Sequence, residues 1–136
     1  MKRLFYHGYS KHAFNIATLL LRVGFGVLMI PSHGWRKLSN FASMKEDFIN
    51  FMGLGSTLSL GLATFAEFFC SLLLIFGLAT RLATIPLIIT MVVAFGKHNY
   101  IFFEKYDLIP AFIIGYLAIL LLGPGKHSLD AMISKK

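Results

Sequence analysis

The stretch that decides the fold is AFNIATLLLRVGFGVLMIP, from Ala13 to Pro31. Its nineteen residues carry one charge, Arg22. A helix of that length rises about 28 Å, close to the ~30 Å hydrocarbon core of a bilayer. Lys2, Arg3 and Lys11 precede it, as basic residues precede a secretory signal. Arg22 in its middle, and the lack of a small-x-small cleavage site after it, mark it instead as a retained spanning helix.

Three further apolar stretches follow: Leu58 to Leu78, Leu82 to Phe95 with its helix running to 97, and Leu108 to Leu122. The composition agrees with a membrane solvent. Of 136 residues, 57% are hydrophobic, only 14% are charged, and mean hydropathy is +0.72. A 15.2 kDa globule has too little interior to hide that much apolar surface. An ordinary soluble enzyme, a disordered chain and a nucleic-acid-binding module are excluded on this ground. The net charge of +7 comes from basic residues in the short segments between apolar runs, the pattern that orients membrane proteins and holds them against anionic lipid. A single cysteine, Cys70, leaves no disulfide, CxxC redox pair or cysteine zinc site. No metal-ligand spacing is present, so redox chemistry would have to come from a bound cofactor, a quinone or a partner.

Breakers punctuate the spans. Pro31 is expected to end helix 1, Gly77 and Thr80-Arg81 to turn the chain, and Gly123-Pro124-Gly125 to stop helix 4. Between the first two spans, Trp35, Leu38, Phe41, Lys45, Phe48 and Met52 recur at helical steps. Arg36, Lys37, Asn40, Glu46, Asp47 and Asn50 occupy the other face. That pattern predicts an amphipathic helix in the membrane interface. The expectation is an all-α integral membrane four-helix bundle, one domain over 1–136. Its helices lie at about 13–31, 58–78, 82–97 and 108–122, with an interfacial segment at 32–57. Four spans put both termini on one side. That side holds seven basic residues (Lys2, Arg3, Lys11, Arg81, Lys126, Lys135, Lys136) and the other five (Arg36, Lys37, Lys45, Lys97, Lys105). The balance places both termini in the cytoplasm.

The ordered motifs resemble the DoxX family. LLLRVGFGVLMIPSHGWRKL (Leu19 to Leu38) is similar to its first-helix signature, with an Arg, then His-Gly, then Lys before a hydrophobic residue. FAEFFCSLLLIFGLATRLA (Phe65 to Ala83) resembles its second helix, and GPGKHSLD (Gly123 to Asp130) its closing motif. The resemblance implies a small four-helix membrane protein of a bacterial cytoplasmic (inner) membrane. One branch of the family includes a thiosulfate:quinone oxidoreductase subunit, others are linked to membrane complexes that handle oxidative stress, and distant animal relatives look like membrane chaperones.

Charged residues within spans are costly and functional by default. Arg22 and Glu67 each fall near the middle of their helix, and antiparallel helices would bring them to one depth as a pair. The same pair could serve only to register the two helices. His33 and His98 are expected at one mouth of the bundle with Lys37, and Tyr116 near the middle of helix 4 needs a partner for its hydroxyl. The candidate ligand-binding set is therefore Arg22, His33, Lys37, Glu67, His98 and Tyr116. Three occupants suit the mouth: a quinone headgroup, a haem between His33 and His98, or an anion. Both histidines lie at or beyond a helix end, which argues against haem. Cys70 reads as a small packing residue.

The favoured function is a small membrane subunit of a redox system that binds a quinone or similar lipid-soluble ligand. Its partners would be membrane lipid and a redox protein, with no nucleic acid, and homo-oligomerisation stays open. Whether the chain is itself an enzyme, as a quinone-linked oxidoreductase subunit, also stays open. The alternatives are a non-catalytic scaffold or assembly factor for other membrane proteins, and a small-solute or proton pathway through Glu67.

Overall fold

The computed structural model describes residues 7–97 and 108–135, and every regular element among them is helical. The long helices are α1 (Lys11–Ser39), α3 (Ser56–Phe76), α4 (Thr80–Lys97) and α5 (Leu108–Leu122). Two short ones, α2 (Phe41–Met44) and α6 (Leu129–Ile133), lie in the α1–α3 connection and at the C-terminal end. The first three long helices are long and apolar enough to cross a membrane, and α5 is a shorter apolar helix. The chain is an all-α integral membrane bundle. Large apolar side chains such as Leu20, Leu82, Ile114 and Leu121 are exposed around it, as a lipid solvent allows.

Pro31 does not end the first helix. The chain widens into a π turn over Ile30–Gly34, where the Trp35 N–H reaches back to the Ile30 carbonyl, and then resumes as α-helix to Ser39. The wider turn gives the proline ring room, and the Ser32 hydroxyl donates to the Leu28 carbonyl at 2.9 Å. Such local adjustments let a membrane helix absorb a proline. The result is a 29-residue helix, about 43 Å long. α3 carries a second π turn over Phe65–Cys70. The interfacial segment accordingly starts at Asn40. It holds α2 and a run of turns leading to Gly55, tied to α3 by the Phe51 N–H on the Ser59 hydroxyl at 2.9 Å.

The core runs between the helices, through Met29, Cys70, Leu74, Leu87, Met91, Phe112 and Tyr116. α1 packs along α3 and α5, and α4 packs along α5. α3 and α4 pack together from their connecting turn to the π turn in the middle of α3 and diverge beyond it. That divergence opens a wedge on one side of the bundle.

At the turn end, the end that carries the chain's terminal segments, the packing is polar. Gly77 adopts φ +70°, and a Cβ there would run into the Arg22 guanidinium and Ser128. Arg22 is 1% exposed. It donates to the carbonyls of Leu74 at 3.3 Å and Ile75 at 3.4 Å, and to that of His127. Two of these are last-turn carbonyls of α3, and that of Leu74 also accepts the Gly77 N–H at 3.1 Å. Asp130 in α6 accepts the N–H groups of Ala79 at 2.7 Å and Thr80 at 2.9 Å. It thereby caps the start of α4 from fifty residues away. Its own N–H returns to the Gly77 carbonyl at 2.9 Å. Asn15 joins the two terminal segments by accepting the Lys126 N–H at 2.9 Å.

Partial burial works to raise the Asp130 carboxyl. The Thr80 and Ala79 N–H groups and the nearby Arg22 charge outweigh it, so its pKa lies below the ordinary 3.8. A carboxylate with a depressed folded-state pKa contributes stability that is full above the unfolded value and lost as pH falls through the folded one. Detergent-solubilised protein is therefore expected to lose stability below about pH 3.8. Asp130→Asn should remove that pH dependence and cost about 1.5–3 kcal/mol at neutral pH, read by thermal unfolding across a pH series.

Candidate functional site

The two π turns face each other. Gly34, buried on α1, lies directly on the backbone of Glu67 and Phe68. A Cβ at position 34 would stand 2.6 Å from the Glu67 carbonyl oxygen. Only a glycine lets the helices approach this closely. One turn further along α1, the Lys37 ammonium donates to the Glu67 carboxylate in a buried ion pair. Glu67 is 3% exposed, and Lys37 reaches it from the rim. An unpaired carboxylate at this depth in lipid would be costly, so the lysine satisfies it.

This corrects the expectation that Arg22 pairs with Glu67. That expectation placed Arg22 at mid-depth by ending α1 at Pro31. With α1 continuing to Ser39, fifteen residues, or about 22 Å of helix, separate Arg22 from Lys37. Arg22 falls opposite the C-terminal end of α3, Lys37 opposite its middle. Of the expected site residues, the structure brings together His33, Lys37 and Glu67, with Tyr116 behind them, and leaves Arg22 at the far end. His98 lies outside the described residues.

The Lys37–Glu67 pair forms the inner end of a cleft of about 1000 Å³ in the wedge between α3 and α4. Apolar side chains make most of its walls, among them Leu62, Phe65 and Ala66 from α3, and Pro86, Ile89, Met91 and Val93 from α4. The connection after α1 covers it with Met44, Phe48, Ile49 and Phe51. Charged groups and an imidazole also line it: His33, Arg36 and Lys37 from α1, Glu67 from α3, Asp47 from the cover and Lys97 from α4. His33 stands edge-on to Phe112 at 6.0 Å, and Phe112 stacks on Tyr116 at 5.8 Å, so an aromatic column leads from the cleft into the core. Tyr116 is fully buried, with its hydroxyl toward Ser71 and within the field of Glu67.

The site's chemistry is that of an amphiphile pocket. It offers an apolar slot between splayed helices with a buried acid, an ammonium and an imidazole in its wall. Three structural participants escaped the sequence reading. Gly34 lay inside the quoted His-Gly step, but nothing marked it as the contact point. Asp130 was visible in GPGKHSLD, but its target lies fifty residues upstream. Asp47 and the cover depend on how a loop folds.

The DoxX family profile matches residues 17–104. The chain is 28% identical over 130 residues to the inner membrane protein YqjF of Escherichia coli K12, covering 90% of this chain and 95% of that one. No solved structure matches.

Gly34→Ala is expected to destabilise the bundle by about 1–3 kcal/mol, because backbone cannot yield as a flexible side chain can. Lys37→Met should cost about 3–5 kcal/mol by leaving Glu67 buried and unpaired, whereas the double variant Lys37→Met/Glu67→Gln should recover most of that loss. Unfolding in detergent checks both statements: Gly34→Ala against the parent, and the parent, Lys37→Met, Glu67→Gln and the double variant as a double-mutant cycle.

Proposed function

The chain belongs to the DoxX family, and from that premise we propose that it is a small inner-membrane subunit of a redox system that binds a quinone in the α3–α4 cleft. The observation that carries this reading is the cleft itself. It is a slot of about 1000 Å³, lined mostly by apolar side chains, with the Lys37–Glu67 pair and His33 also in its wall. A quinone has the same division: a ring with two carbonyl acceptors and a long apolar tail. Lys37 and the His33 imidazole supply donors for the carbonyls, and Glu67 supplies a carboxyl able to pass a proton to a reduced oxygen. Phe48, Phe65 and Met91 flank the ring position. The tail leaves between α3 and α4 into the bilayer, so the ligand enters without crossing water. The name of the YqjF relative supports the inner membrane as location. Both termini in the cytoplasm would put the cleft toward the opposite face. Electrons would come from and go to a partner protein, since the described side chains include no redox centre of their own.

The chain's single tryptophan, Trp35, sits on α1 two residues from Lys37 and serves as the reporter. Titration of a short-chain ubiquinone into detergent-solubilised protein is expected to quench Trp35 saturably. Lys37→Met/Glu67→Gln should weaken binding at least about tenfold, equivalent to 1.4 kcal/mol. The lipid-facing variant Leu121→Ala should bind as the parent does. Non-saturable quenching equal in all three proteins would overturn the reading in favour of a non-catalytic scaffold.

A further inference from the structure

The charges that line the cleft are not balanced. Lys37 and Glu67 are spent on each other. Outside that pair the lining carries two cations, Arg36 on α1 and Lys97 on α4, against one carboxylate, Asp47 in the cover. Neither cation's side chain has a hydrogen-bonded or ionic partner among the described residues. Both residues are exposed.

Their positions along the helices set them apart from the ion pair. Counted from the α3–α4 turn, Glu67 stands about 14 Å along α3, and Lys97, the last residue of α4, about 26 Å along α4. Ser59, which holds the cover through the Phe51 N–H, stands at the level of Lys97. Arg36 lies on the stretch of α1 past Gly34, and its long side chain extends outward as a membrane arginine's does. Cations near the interface thus border an apolar slot of about 1000 Å³. That is the division of a lipid with an acid headgroup. A guanidinium receives a carboxylate or a phosphate through two parallel N–H groups, and an ammonium adds a point charge. Basic pockets between membrane helices bind acidic lipid headgroups on this principle.

We propose that the cleft is also a binding site for an acidic acyl lipid, its headgroup held by Arg36 and Lys97 and its chain lying in the slot between α3 and α4. A free fatty acid and an anionic phospholipid share that chemistry. The inference goes beyond the quinone reading and does not rest on it, since the acid is held by two cations that take no part in the Lys37–Glu67 pair.

The test uses the full chain, delipidated in detergent, and native mass spectrometry with four probes of one chain length: oleate, dioleoylphosphatidylglycerol, dioleoylphosphatidylcholine and oleyl alcohol. At least one of the two acids is expected to bind saturably at one per chain, and which of them binds identifies the source. Phosphatidylcholine and oleyl alcohol should bind at least about tenfold more weakly. Arg36→Gln/Lys97→Gln should weaken the acid by a similar factor. Lys11→Gln/Lys126→Gln, with the same loss of charge at the terminal end, should bind as the parent does. Oleate carrying a diazirine in its chain should crosslink to cleft-wall residues such as Leu62, Ile89 and Val93, and not to Leu20, Ile114 or Leu121 on the outer surface. The proposal is overturned when neither acid binds, when the neutral probes bind equally, or when Arg36→Gln/Lys97→Gln binds in full. Crosslinks spread evenly over the outer surface overturn it as well. Both substituted residues are exposed and unpaired, so the double variant is expected to fold. No quinone is present, so the outcome is independent of quinone binding.

Discussion

The structure depends on one close crossing. α1 and α3 touch backbone to backbone where Gly34 lies on Glu67, each helix widened there by a π turn. The widening on α1 absorbs Pro31, so the helix runs on far enough for Lys37 to reach the carboxylate. Without that continuation Glu67 would be a bare charge in lipid. With it, the helices gain an ion pair, a fixed register and a polar group in the cleft wall. π turns are frequent at functional sites, and here both serve the same residue.

The opposite end of the bundle solves a different problem. A membrane helix must satisfy its terminal carbonyls without help from bulk water. Arg22 does so for α3, while Asp130 satisfies the first N–H groups of α4. The two charges belong to distant parts of the chain and converge on the Gly77 turn. Their roles close the bundle and fix the direction of the α3–α4 hairpin. The hairpin is anchored there and splayed at the other end, so the cleft follows from the anchoring. The two buried charges thus lie in different settings, the arginine at the hairpin turn and the glutamate in the cleft wall.

Much of this was legible in the residues. Hydropathy alone gave the spans, because lipid imposes a length and an apolar composition that few other folds share. The buried positions of Arg22 and Glu67, the turn at Gly77 and the packing role of Cys70 followed from the same reasoning. The pairing did not. Its prediction turned on whether Pro31 stops a helix, and in lipid the penalty for breaking the backbone ladder favours a π turn over a stop. The amphipathic stripe of residues 35–52 indicated an element at the interface, but one helix was inferred where the chain uses the end of α1, the short α2 and a cover of turns. Gly24 and Gly61 face open space, whereas Gly34 lies directly on the backbone of another helix. Glycines alone do not reveal which of them another helix will meet. The cleft could not be foreseen, since it arises from the divergence of two helices and not from any local pattern.

The central claim is that the α3–α4 cleft holds a quinone against the Lys37–Glu67 pair. The most direct measurement is mass spectrometry of the organic extract from protein purified gently out of its native membrane. The account predicts about one quinone per chain in the parent protein and its loss in Lys37→Met/Glu67→Gln. An extract containing only phospholipid, the same in both proteins, would contradict it.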